Sequence, residues 1–142
     1  ASFVEILQNC PVFADGVWDP VTDKATRDDR LLFLEQGKPL RFGPMGSKAL
    51  RLGKGLVPEV VDFATSSESE LLIHNEEASG AYAFMLGEMN YPNLPLPMGV
   101  LRQVARTPYD ALVAEQIAAA QKQRGRGDIN KLLQGGMTWQ VK

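Results

Sequence analysis

Glycine and proline recur throughout this chain and limit most of it to short helices and strands joined by turns. Thirteen glycines and nine prolines are spread over 142 residues, and both residue types interrupt regular secondary structure. Several stand in turn-forming pairs, such as Asp15-Gly16 and Asp19-Pro20. A chain of this length can still bury a sizeable core. We therefore expect one domain over residues 1–142, built from small elements.

The hydrophobic periodicity predicts an α+β fold with a small sheet that contains hairpins and with two or three helices. Residues 30–35 and 40–42 are predicted to form a hairpin, because the segment between them contains Gly37 and Pro39. Further strands are expected at residues 49–52, 57–63, 100–104 and 137–141, of which the second is an edge strand because of Pro58.

Capping residues and apolar spacing predict where the helices begin and end. Asn75 is expected to cap a helix that continues to residue 89. Thr107 is expected to cap a second helix over residues 108–124, which Gly125 ends. Asp128 is expected to cap a short third helix that reaches residue 133.

The first residues combine an apolar run with the single cysteine of the chain. Phe3, Val4, Ile6 and Leu7 have the composition of a buried parallel strand. The run leads directly to Cys10, and a parallel strand places functional groups at its C-terminal end. The lone thiol is therefore either an inert buried residue or one ligand of a site whose other ligands lie elsewhere.

Charge and apolar content exclude several functional classes. The net charge of −2 provides no excess of positive charge for nucleic acid or an anionic membrane. No apolar run approaches the roughly 20 residues that span a bilayer. We expect no secretory signal, because the first residues contain no basic stretch followed by an apolar one. One cysteine cannot form an internal disulfide, which suits the reducing cytoplasm. We expect a cytoplasmic location without nucleic-acid or membrane partners.

Four other motifs have simple structural interpretations. His74 could act as a base or metal ligand, but the sequence provides no aligned partners for it. Residues 43–48 superficially resemble a phosphate loop but lack its spacing, which favours a tight turn. The Arg-Gly-Asp sequence at 126–128 fits a helix end followed by a capped helix, and residues 91–97 fit a proline-rich structural strap.

A series of segments carries a resemblance to a known family. The segment Val4-Glu5-Ile6-Leu7-Gln8-Asn9-Cys10-Pro11 is the first, and others follow at residues 15–19, 96–102, 107–113, 125–133 and 138–139. Their order and spacing resemble the β subunit of 2-oxoacid:ferredoxin oxidoreductases, a thiamine diphosphate-dependent family. The chain looks most like the C-terminal portion of such a subunit, of the type that uses 2-oxoglutarate.

The resemblance implies a cofactor role for Cys10. In the family the matching cysteine is one ligand of a [4Fe-4S] cluster, and the other three come from the N-terminal half of the subunit. Thiamine diphosphate and Mg²⁺ are held there by a Gly-Asp-Gly motif that this chain lacks. The isolated chain is therefore expected to hold none of these cofactors and to be inactive. The parent enzyme oxidatively decarboxylates a 2-oxoacid to acyl-CoA and CO2 and passes electrons to ferredoxin.

The resemblance also divides the chain into parts with expected partners. Residues 1–10 would be the last strand of the thiamine domain, residues 11–29 a loop, and residues 30–142 a C-terminal α+β region. The partners would be the N-terminal part of the same subunit, the α subunit and, through the complex, ferredoxin and CoA. Without its sheet, the strand at residues 4–7 is expected either to be disordered or to pair with another copy in a homodimer.

Two alternatives to this interpretation stay open on sequence grounds. One is an independent small-molecule-binding or regulatory module with its own core and its own ligand pocket. The other is a purely structural appendage that contributes surface and no chemistry.

Overall fold

The computed structural model describes residues 1–136, 138, 139 and 141, and their contacts divide the chain into two units. The first comprises Ser2–Val104. The second comprises Ala105–Lys142 together with Ala1. Each unit has its own secondary-structure elements and is described by itself.

The first unit is an α+β arrangement of short elements, as predicted. In chain order they are α1 (Asp19–Thr22), α2 (Arg27–Arg30), β1 (Leu31–Phe33), β2 (Arg41–Phe42), β3 (Lys48–Leu52), β4 (Pro58–Asp62), α3 (Gly80–Glu88) and β5 (Leu96–Met98). Three 3₁₀ turns, at Pro44–Gly46, Lys54–Leu56 and Glu68–Glu70, lie between them.

The five strands form two separate small sheets. Strands β2, β3 and β4 make an antiparallel meander in which Leu50 of β3 stands opposite Val60 of β4. The prediction that Pro58 begins an edge strand is confirmed, since β4 pairs on one side only. Strand β1 pairs in parallel with β5, with Leu31 opposite Leu96.

One apolar core joins the strands to α3. Its fully covered members come from both sheets, from the segment before β2 and from the end of α3: Leu32, Leu40, Phe42, Leu50, Leu86 and Met89. Leu86 of α3 and Met89 at its C-cap are fully buried in this core, and Tyr82 and Met85 pack against it. Phe84, which the helical spacing placed on the same face, is 70% exposed.

The predicted hairpin between residues 30–35 and 40–42 is wrong. Both strands exist, but β1 pairs with β5 and β2 pairs with β3. The backbone N–H of Leu40 instead donates to Leu72 O at 2.8 Å, and Pro39 forms a bridge with Ile73. The local Gly-containing turn indicated a hairpin, but β1 has its partner in β5, far along the sequence, and β2 pairs with β3, the next strand in the chain.

The strand predicted at residues 1–10 was expected to lack its sheet within this chain. Residues 1–9 form no helix or strand, and their apolar side chains are exposed, with Phe3 at 91% and Ile6 at 78%. The composition of the run was typical of a buried strand, but no sheet within this chain accepts it.

Two further element boundaries differ from prediction. Helix α3 begins at Gly80 with Ser79 as its N-cap, whose hydroxyl accepts from the Tyr82 N–H. Asn75 caps no helix, because its side chain accepts from the Glu77 N–H within a local turn. Residues 100–104, all described, form no strand, since the β5 pairing has already ended at Met98.

The second unit is helical and has two elements, α4 (Tyr109–Arg124) and α5 (Ile129–Leu133). Helix α4 begins one residue after the predicted start, because Pro108 has an extended backbone and acts as the N-cap in place of Thr107. Gly125 ends the helix as predicted, with φ at +81°. Asp128 caps α5 as predicted and accepts from the N–H groups of Asn130 and Lys131.

Helix α4 contains no buried side chain. Tyr109 is 82% exposed, and Leu112 and Ile117 are each about half exposed. Among the described residues, no helix is both long enough and apolar enough to cross a bilayer. The predicted strand at residues 137–141 falls partly on residues outside the described set; Thr138, Trp139 and Val141 are described and belong to no strand.

Leu50 and Leu52 provide a test of the core within one strand. Leu50 is fully buried and Leu52 is 42% exposed, so we expect Leu50→Ala to lower the free energy of unfolding by about 2–5 kcal/mol. Leu52→Ala is expected to change it by less than about 1 kcal/mol. Urea unfolding followed by circular dichroism measures both. Equal losses in the two variants would contradict the assigned core.

Candidate functional site

Cys10 lies in a tight turn near the start of the first unit, here called the Cys10 turn (residues 9–16). Its backbone pairs with Ala14 in an isolated antiparallel bridge, and the Ala14 N–H donates to the Cys10 carbonyl oxygen at 2.9 Å. Pro11 follows the cysteine and fixes its own φ inside the turn. The Cys10 side chain is half-buried. The thiol is therefore accessible within its unit and is not a core residue.

Side chains on either side of the turn hold it closed. The Asn9 Nδ2 donates to Asp15 Oδ1 at 2.9 Å, and the Gly16 N–H donates to Asn9 Oδ1 at 3.0 Å. Gly16 has φ at +69°, a left-handed conformation that favours glycine. Trp18 adds a further link through its Nε1, which donates to Gln8 O at 3.2 Å.

The backbone around Cys10 favours the thiolate. The N–H of Phe13, followed by that of Val12, lowers the pKa of the Cys10 thiol below its ordinary value. Partial burial opposes this shift and the Ala14 N–H adds to it. The thiolate is the form that binds metal. N–H groups directed at a cysteine sulfur are also one of the means by which proteins tune iron–sulfur clusters.

The chain supplies a single ligand of this kind. A [4Fe-4S] cluster held by cysteines needs four thiolates, and the sequence has only one cysteine. In the part of the chain that the structure describes, no three His, Cys, Asp or Glu residues come together as a metal site. The Cys10 turn can provide one of the four thiolate ligands of a cluster. The sequence contains no Gly-Asp-Gly motif that would hold thiamine diphosphate.

His74 is a structural residue in this fold. Its side chain is 1% exposed. Its Nε2 lies 2.9 Å from Val100 O, and its Nδ1 lies 3.2 Å from the Tyr82 hydroxyl. Because a carbonyl only accepts, Nε2 carries the proton and Nδ1 accepts from the tyrosine. Both ring nitrogens are therefore satisfied inside the protein, which leaves neither for a metal or substrate.

The other two candidate motifs also have structural roles, as the sequence indicated. Within residues 43–48, a 3₁₀ turn at Pro44–Gly46 leads into β3, not into the helix that a phosphate loop requires. The Lys48 Nζ pairs with Asp29 Oδ1 at 2.9 Å. The Arg-Gly-Asp sequence joins the end of α4 to the N-cap of α5.

Sequence reasoning missed the residues that surround Cys10 and His74. Asn9 and Trp18 have no local pattern that indicates their role, because their hydrogen bonds join residues six to ten positions apart. Tyr82 reads simply as an apolar residue of α3, and Val100 contributes only its carbonyl. The Asp15-Gly16 pair was the one visible signal, since it predicted the turn that Asn9 closes.

The chain is related along nearly its whole length to a curated protein. It is 34% identical over 146 aligned positions to the 2-oxoglutarate oxidoreductase subunit KorB of Mycobacterium tuberculosis. The alignment covers 99% of this chain and 38% of that subunit, so the chain spans well under half the length of the curated relative. No family model and no solved structure matches the chain. The resemblance inferred from the sequence segments is confirmed by this relative.

Tyr82→Phe tests the assignment of His74. The variant keeps the aromatic ring but leaves the buried Nδ1 without its donor, so we expect a loss of about 1–3 kcal/mol in the free energy of unfolding. Tyr109→Phe is the matched control, since Tyr109 is 82% exposed and should change stability by less than about 0.5 kcal/mol. Urea unfolding measures both; equal effects would contradict a structural role for the His74–Tyr82 contact.

The stability difference between the wild-type chain and Tyr82→Phe is also expected to depend on pH. Burial raises the pKa of Tyr82, and the backbone N–H of Asn75 lowers it in part. The folded state then holds the phenol proton more tightly than the unfolded state, so this contribution to stability is lost as pH rises through the raised pKa. We expect the stability difference between wild type and Tyr82→Phe to be constant below about pH 10 and to shrink above it. A constant difference in urea unfolding at higher pH would contradict this.

Proposed function

Because this chain is related over nearly its whole length to part of the β subunit of 2-oxoacid:ferredoxin oxidoreductases, we propose that it works as the C-terminal portion of such a subunit. The observation that carries the proposal is the 34% identity across 99% of the chain. The parent enzyme would oxidatively decarboxylate a 2-oxoacid with CoA, release CO2 and the acyl-CoA, and pass two electrons to ferredoxin. The name of the relative favours 2-oxoglutarate as the substrate.

Within that subunit, Cys10 is the residue that we assign to a [4Fe-4S] cluster, as one of four thiolate ligands. Three features support this role: the thiol is accessible, backbone N–H groups favour its thiolate, and Asn9 holds the turn in place. A ligand held in a defined geometry before binding loses little conformational freedom when the cluster forms. When bound, the cluster supplies a one-electron relay between the reaction centre and ferredoxin.

The segment after Cys10 is proposed to cover the cofactor cleft of the parent enzyme. Residues 11–29 follow the proposed ligand directly, and in this structure they include most of the Cys10 turn, helix α1 and most of α2. Loops that leave a ligand-bearing segment commonly carry function of this kind. The rest of the chain would support the thiamine domain and contact the α subunit.

Cys10→Ser in the complete subunit tests the ligand role. Serine preserves the size of the side chain but is a poor ligand for iron, so we expect anaerobic reconstitution to give much weaker cluster absorption. Val12→Ala is the matched control in the same turn, since Val12 is 78% exposed and its backbone N–H is kept. An undiminished cluster in Cys10→Ser would remove the cluster role and favour a separate binding module or a structural appendage.

Deleting residues 12–24 from the complete enzyme tests whether this segment covers the cofactor cleft. We expect turnover to fall while the absorbance of bound cofactors is retained, because the segment would exclude water from the reaction centre without holding the cofactors. Normal turnover after the deletion would refute this part of the proposal. The two experiments are independent, since the first measures cluster content and the second measures turnover.

A further inference from the structure

A cleft of about 310 Å³ opens in the first unit, away from the Cys10 turn. It lies where α2, the three-stranded sheet and the loop of residues 91–95 meet. Its volume is at the lower end of the range found for small-molecule sites, roughly 300–1,000 Å³. The lining combines apolar residues of the sheet and loop, Phe42, Val60 and Leu94, with polar side chains at the rim, Thr26, Asp29, Arg30, Lys48 and Asn93.

Arg30 is the most strongly positioned polar group of the cleft. Its guanidinium Cζ stands 4.2 Å from the centroid of the Tyr91 ring, and its Nη1 donates to Pro20 O. Stacking on an aromatic face holds the plane of the guanidinium and pre-organises its fork of donors. A guanidinium has five N–H groups, and in the described part of the chain only the Pro20 carbonyl accepts from this one. Arg30 has no carboxylate partner among the described residues.

Lys48 adds a second positive charge, and its present partner is easily exchanged. Its Nζ pairs with Asp29 Oδ1 at 2.9 Å, but the two side chains are 44% and 42% exposed. Surface pairs of this kind contribute little to stability, so an anion in the cleft can share or displace the carboxylate. With Arg30 and Lys48 against Asp29, the lining has an excess of one positive charge on a chain whose net charge is −2.

We propose that this cleft binds a small organic anion. Its carboxylate or phosphate group pairs with Arg30 and Lys48, and its apolar part lies against Val60, which is 44% exposed in the cleft lining. An Arg fork suits both anions, because each presents two coplanar or adjacent oxygens to a bidentate donor. The site goes beyond the proposed role of the subunit and depends on no iron–sulfur cluster.

The test is calorimetric titration of this chain at low ionic strength with two probes, succinate and inorganic pyrophosphate. Binding of succinate alone would identify a carboxylate site, and binding of pyrophosphate alone a phosphate site; binding of both supports a general anion site. We expect Arg30→Gln to lower the affinity for whichever probe binds by about tenfold or more, because the variant loses a charged hydrogen-bonding group. Failure of both probes to bind overturns the proposal.

Arg27→Gln is the matched control, because Arg27 belongs to the same helix but does not line the cleft. It removes the same charge from the chain. In a repeat of the titration at about 0.15 M salt, where distant charges are screened, it should change affinity by less than about twofold. Equal weakening in both variants would mean a non-specific charge effect and overturns the site. Lys48→Gln is a second variant of the cleft lining, so a folding defect in Arg30→Gln still leaves a decisive measurement.

Discussion

The first unit depends on one buried histidine that links helix α3 to two irregular segments. Through its ring, His74 reaches Tyr82 of α3 and the carbonyl of Val100, beyond β5. Through its backbone, it exchanges hydrogen bonds with the turn that contains Gly37 and Lys38. None of these segments is held at that point by a regular sheet. A neutral imidazole suits the position because it donates on one side and accepts on the other.

How far the sequence predicted the structure depended on the distance over which each interaction acts. Asp128 begins α5 and Gly125 ends α4 at the positions that their residue types predicted, because a helix cap forms its hydrogen bonds within a few residues. The parallel pairing of β1 with β5 was missed, because a short strand carries no mark of a distant partner. The run at residues 3–7 has the composition of a strand but is exposed in this structure, because burial requires a neighbouring sheet and no described part of the chain pairs with it.

In the candidate site, too, the sequence predicted the local features and not those that depend on the folded path of the chain. Cys10 was identified through the surrounding motif and the family resemblance, and the Asp15-Gly16 pair indicated a turn. The side-chain amide of Asn9 that closes the turn and the backbone N–H groups that lower the pKa of Cys10 are consequences of the three-dimensional path of the chain. The positive cleft had no sequence signature at all, since Arg30, Lys48 and Tyr91 come from three separate parts of the chain.

The pairing of Leu31 with Leu96 has a consequence for how the first unit assembles. The meander, the His74 segment and α3 all lie on the chain between these two strands, so the parallel pair is the closure of one long loop. Loop-closure entropy opposes such a contact until the enclosed chain has become compact. The meander, which joins neighbours in sequence, is therefore suited to form early, and β5 to dock last. Synthesis from the N-terminus would leave β1 unpaired until almost the whole unit has emerged from the ribosome.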